Sequence, residues 1–169
     1  VELLNHNDIL SEPSRSKAIA RGLWNYEARK RLEDVASRFD PMDTVLHCHG
    51  YAKALSPAIG PVLANGRLPA VYTMHEYFLA CPNGGFYHYN EQSICTRKPL
   101  GLSSMTTNCD VRGLSHKAFR LLRQAVTHGP GRMPHGIRNL IYISHTQRKA
   151  MEPYLSEDIN LYHVPNPIP

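Results

Sequence analysis

The chain has no run of about 18 apolar residues, the length a helix needs to cross a bilayer, so no spanning segment is expected. Its polar start, Val1 to Ser16, has no apolar core of a secretory signal, and a cytoplasmic location is the expectation. Cysteine is sparse. The four residues Cys48, Cys81, Cys95 and Cys109 in 169 suit free thiols or a metal in a reducing compartment better than a disulfide framework. Internal repeats and low-complexity tracts are absent as well. Acid is missing from one long stretch: between Cys95 and Arg138 a single acid, Asp110, stands against eight Lys and Arg. That stretch carries +7 and the remainder −2, so the basic character is local. A concentrated positive surface attracts phosphates on nucleic acid, anionic lipid or substrate, and charge alone does not choose among them.

What is present is an ordinary globular composition. An apolar share of 42% with 20% charged residues predicts a packed fold, and 169 residues suffice for one domain rather than two. Apolar residues recur at three- and four-residue steps from Ser14 to Phe39, which predicts one helix ended by Pro41. Thr44 to Gly50 reads as a short strand closed by glycine, Leu55 to Asn65 as a helix, and Pro69 to His75 as a second strand. From Glu76 to Gly113 periodicity disappears, and a loop of this length is expected to be functional or pinned by something. Leu114 to Thr127 reads as a helix with Ala118, Leu121, Leu122 and Ala125 on one side and Lys117, Arg120 and Arg123 on another. A third strand follows at Asn139 to Ser144, a helix at His145 to Leu155, and a fourth strand at Asn160 to Val164. Strands alternating with helices predict an α/β, Rossmann-like parallel sheet with helices on both faces. Ligands of such sheets bind at the carboxyl ends of the strands. Here those ends carry His47, His49, Gly50, His75, Glu76, Ser144, His145 and Asn166.

The order of short motifs is also informative. Asp43 to Gly50, Leu55 to Pro57, Pro69 to Tyr77, Cys81 to Gly84, Tyr142 to Ser144 and Val164 to Ile168 together resemble the N-terminal, acceptor-side domain of family 4 glycosyltransferases with the GT-B fold. The likeness is greatest to the bacterial type that builds surface polysaccharides, and it runs from about Trp24 to the last residue. It implies that residues 1–164 form a partial acceptor-side domain, with 76–113 a long cysteine-containing loop and 165–169 the start of an interdomain hinge. It further implies that the first strand and glycine-rich loop would precede Val1 and the donor-binding domain would follow Pro169, so that this chain alone would be inactive.

The resemblance implies transfer of a sugar from a nucleotide-sugar donor, a co-substrate, to a glycan or polyprenyl-diphosphate-linked acceptor in polysaccharide biosynthesis. His75 matches the family histidine that faces the reacting sugar, and it is expected to hydrogen-bond and position rather than to act as a base. Glu76 is expected to touch acceptor hydroxyls. His47 and His49 are expected on opposite sides of their strand, with His49 and Gly50 at the cleft and His47 in packing. Ser144 and Asn166 complete the expected substrate contacts. No cofactor is required, and a zinc ion is considered at Cys81, Cys95 and Cys109, although Lys98 stands where relatives place a further cysteine.

Lys117, Arg120 and Arg123 are expected to face an anionic membrane while the apolar side of their helix packs on the sheet, placing the protein at the inner face of the plasma membrane. Two other readings compete: a noncatalytic interaction domain, and a basic module stacking Tyr72, Phe86, Tyr87 and Tyr89 on bases. No nucleic-acid motif accompanies those rings, so no nucleic-acid partner is expected.

Overall fold

The computed structural model describes residues 8–167. The beginning of the polar start and the last two residues of the expected hinge, Ile168 and Pro169, lie outside the described residues. The elements in chain order are α1 (Arg15–Leu23), α2 (Tyr26–Ala36), β1 (Leu46–Cys48), α3 (Gly60–Asn65), β2 (Ala70–Met74), β3 (Tyr87–His88), β4 (Ser93–Ile94), α4 (Leu102–Thr106), α5 (Leu114–His128), β5 (Asn139–Tyr142), α6 (His145–Met151) and β6 (Asn160–His163).

β1, β2, β5 and β6 form one sheet in that order, and every neighbouring pair is parallel. Parallel neighbours need a crossover between them, and the helices of this chain supply the crossovers. The mixed α/β architecture is thus of the Rossmann-like kind. Register places Cys48 beside Tyr72, Met74 beside Tyr142, and Tyr142 beside His163. The carboxyl ends of the four strands therefore line up along one edge. Beneath that edge Met74, Leu140, Met133, Ile137, Ile59 and Met151 are all within 1% of complete burial and form the centre of the core.

The helix expected from Ser14 to Phe39 is two helices. Asn25 interrupts it: its Oδ1 accepts from Ala28 N at 3.0 Å as the cap of α2, its Nδ2 donates to Ala54 O, and its own N–H donates to Ser56 Oγ at 2.7 Å. A buried asparagine with all these partners outside a helix outweighs the continuity of the apolar pattern. The helix expected at Leu55 begins instead as a 3-10 turn at Pro57–Ile59 and continues as α3. Within the long loop the chain forms the antiparallel hairpin of β3 and β4 and the short helix α4.

The larger correction concerns α5. Lys117 and Arg123 were expected on its outer face, yet they are 4% and 8% exposed, and Gln124 and Thr127 are buried with them. Ala118, Leu122 and Ala125, expected on the packed side, are exposed, and Leu121 is only half-buried. The helix is amphipathic as the pattern predicts, but its polar face is turned inward. The reason is the long loop, whose carbonyls lack strand partners and must find donors elsewhere. Arg123 donates to Ala52 O and lies 4.8 Å above the Phe78 ring, Gln124 Nε2 donates to Leu79 O, and Arg120 pairs with the buried Asp110 at 3.0 Å. Three of the eight basic residues of the +7 stretch, Lys117, Arg120 and Arg123, are thus engaged inside the molecule. Lys117, Arg120 and Arg123 are not a free basic face.

Candidate functional site

At the carboxyl end of β1 the residues His47, Cys48 and His49 alternate exposed, buried, exposed. Residues two apart on a strand share a face, so His47 and His49 stand together rather than on opposite sides. Their ring centroids are 4.0 Å apart. The assignment of His47 to packing is corrected accordingly, and both imidazoles belong to the exposed strand end. His47 Nε2 lies 2.7 Å from Thr73 Oγ1 of β2, which fixes its ring. Partial loss of solvent, followed by the like charges of His49 and His75, lowers the His47 pKa from its ordinary value.

Across the pair of strands, His49 Nδ1 lies 3.0 Å from His75 Nε2, and the two rings stack at 5.3 Å with 22° between their planes. A nitrogen-to-nitrogen hydrogen bond needs one proton and one lone pair, so the two imidazoles hold complementary tautomers or share a single positive charge. Behind them Cys48 is 7% exposed and donates to Gly50 O at 3.5 Å; burial is the main cause that pushes its pKa to about 11. Gly50 has φ +105°, and a Cβ built there would come within 3.2 Å of Glu76 Oε1. His49, Gly50, His75 and Glu76 are therefore brought together as one group.

Among the described residues no hydrogen bond joins Ser144 or Asn166 to that group. Ser144 Oγ accepts from Gln147 N and so caps α6. Asn166 lies in the exposed segment after β6, which has no regular structure. Gln147 was not singled out from the sequence. It is 3% exposed, its Oε1 accepts from Ile143 N, and its Nε2 donates to Met74 O at 2.8 Å, immediately before His75. The signal was available, because serine followed three residues later by glutamine is a helix-start pattern. A second imidazole group joins the strand-end His145 to a residue not singled out from the sequence: His163 stacks on Tyr142 at 4.9 Å and lies 4.6 Å from the His145 ring, with Arg148 above Tyr142.

The loop that follows His75 is held by α5. Leu79 O accepts from Gln124 Nε2 at 3.2 Å and lies 2.9 Å from His128 Nε2, while Tyr51 Oη donates to Phe78 O. Farther along, Asn83 Oδ1 accepts from Arg120 and its Nδ2 donates to Cys109 O. Cys81, Cys95 and Cys109 do converge on one narrow cavity, which Phe86, Tyr87 and Lys117 also line. Among the described residues, however, no three His, Cys, Asp or Glu side chains are arranged to hold a metal ion. Lys117 Nζ sits 3.2 Å from Cys109 Sγ, and a cation held by that sulfur would meet the ammonium. The cavity as formed does not fit zinc.

Of the aromatic residues considered for base stacking, Tyr72 is 2% exposed and belongs to the core. No helix among the described residues is long and apolar enough to cross a membrane. No family model, curated protein or solved structure matches the chain.

Proposed function

We propose that this chain is the acceptor-binding part of a GT-B glycosyltransferase, moving a sugar from a nucleotide-sugar donor to a glycan or polyprenyl-diphosphate-linked acceptor. The observation that carries the reading is the joined group of His49, Gly50, His75 and Glu76 at the carboxyl ends of two adjacent parallel strands. Together with the motif order described above, it places hydrogen-bonding side chains where an α/β sheet receives ligands.

The chemistry follows from the side chains. A sugar leaving a nucleotide diphosphate develops positive charge at its anomeric carbon and negative charge on the departing phosphate, and fixed donors lower that barrier. His75 donates to the reacting sugar, with His49 holding its ring and tautomer across the 3.0 Å contact. Glu76 accepts hydrogen bonds from acceptor hydroxyls, and the missing side chain of Gly50 leaves room beside that carboxylate. His47 adds a fixed imidazole to the same strand end.

Saturation-transfer NMR of the chain with head groups of lipid-linked oligosaccharides tests this reading. Contact with at least one glycan, weakened by His75→Ala, is expected; absence of contact with any glycan in a broad panel contradicts it. A second reading, an interaction domain without catalysis, draws on the exposed apolar residues Leu114 and Leu122 of α5. In that case Leu122→Glu would abolish partner binding while His75→Ala would leave it unchanged.

A further inference from the structure

The cavity in the long loop contains chemistry that sugar transfer does not use. Lys117 is 4% exposed, and its Nζ donates to Ser104 O, to Thr107 O and to Cys109 Sγ. Its partners among the described residues include no carboxylate; Asp110, the nearest acid in sequence, is engaged by Arg120. A buried ammonium is costly unless a good acceptor faces it, and the third acceptor this one receives is a sulfur. That sulfur is fixed from a second side by Asn83 Nδ2 at 3.1 Å, and the same amide holds Cys109 O at 2.8 Å. Cys109 itself is half-buried and lines the same narrow cavity as Lys117. An amine and a thiol are therefore held in hydrogen-bond contact, on two separate segments, one buried and the other half-buried.

We infer that Lys117 and Cys109 form an oxidative modification site, in which the lysine nitrogen and the cysteine sulfur become joined through one oxygen atom. With dioxygen as the oxidant the balance is thiol plus amine plus O2 giving S–O–N and one water. The S–H bond, one N–H bond and the O–O bond break, and S–O and O–N bonds form. The second oxygen leaves with the two hydrogens as water, and sulfur and nitrogen together supply the four electrons that dioxygen takes. Before this step the ammonium gives its extra proton to solvent. Hydrogen peroxide serves equally, two molecules being consumed and three waters released. Cys81 and Cys95 line the same cavity, so a disulfide to Cys109 is the competing product. The amine is favoured because it is the group in contact with the sulfur, whereas all four cysteines are free of one another. The bridge would tie the segment after α4 to α5 and, through Asn83, fix the turn that follows the His75 loop.

The test is peptide mapping by mass spectrometry of the chain after exposure to dioxygen-saturated buffer or dilute hydrogen peroxide, digested with a protease that does not cut at lysine. The expected product is a linked pair of peptides carrying Cys109 and Lys117, one oxygen heavier and two hydrogens lighter than their sum, and separated again by a thiol reductant. Cys95→Ser is expected to leave this product intact, and Cys109→Ser to abolish it. Tryptic cleavage after Lys117 should disappear on oxidation and return on reduction. A disulfide of Cys109 with Cys81 or Cys95 as the main product, an oxidised Cys109 beside a free Lys117, or an unreacted Cys109 each overturns the inference.

Discussion

His49 Nδ1 and His75 Nε2 face each other at 3.0 Å across two parallel strands, so neither imidazole is free to rotate without the other. The contact couples the tautomer of His75, the residue proposed to meet the reacting sugar, to that of His49. In a polypeptide joining this chain to a donor-binding domain, His75→Ala should lower kcat by about 100-fold or more, the scale of losing one preorganised donor. His49→Ala should lower it by about ten-fold, since a mispositioned group retains part of its effect. Steady-state transfer rates for the two variants check this; equal losses, or none at His75, go against the assignment.

Gly50 and Glu76 give a stability prediction. With φ at +105° and a Cβ within 3.2 Å of Glu76 Oε1, Gly50→Ala must strain the backbone and push the carboxylate aside. A loss of about 1 to 2 kcal/mol is expected from the backbone alone. Urea denaturation measures it, and a variant as stable as the parent would contradict the geometry.

His47 gives a pH dependence. Its pKa is lowered in the folded chain, so below the ordinary value of 6.5 the unfolded chain binds more protons. The stabilisation from a neutral His47 is complete above that pH and is lost as pH falls through the lowered folded value. His47→Gln should therefore flatten the fall in urea midpoint between pH 7.5 and about pH 5, the range in which histidines titrate. An unchanged slope contradicts the assignment.

Asp110 and Arg120 form an ion pair at 3.0 Å whose carboxylate side chain is fully buried. Asp110→Asn leaves the guanidinium without its counter-charge and should cost about 3 kcal/mol, typical of breaking a buried pair by removing one partner. It should also loosen Asn83, which the same Arg120 holds. Hydrogen exchange across residues 81–84 is the readout, with faster exchange expected and unaltered exchange contradicting the link.

Thiol reactivity should separate the cysteines. Burial holds the Cys48 pKa at about 11, so in native labelling with iodoacetamide at pH 8 it should react last, after the half-buried Cys95. Early modification of Cys48 would show that β1 opens readily.

Strand positions were legible because short apolar runs bounded by Gly, Pro and Asn have few other uses; β1, β2, β5 and β6 all fall inside the expected segments. The orientation of α5 was not. Its periodicity announces two unlike faces, but which one turns inward depends on the carbonyls of Leu79, Ala52, Ser104 and Thr107, all on segments without a periodic signal. The shared face of His47 and His49 was legible from strand geometry and was assigned wrongly. Their contact with His75 depends on the register of β1 against β2, which no local pattern announces.

Acceptor binding at the joined strand ends is the property on which the proposed function stands. It is tested most directly by a two-dimensional NMR titration of the isotope-labelled chain with the glycan that gives the strongest saturation transfer. Saturable shifts are expected at the Gly50 and Glu76 amides and the His75 ring, with the amide shifts absent in His75→Ala. Shifts confined to α5 or to the long loop, with the Gly50, His75 and Glu76 signals unmoved, would contradict it.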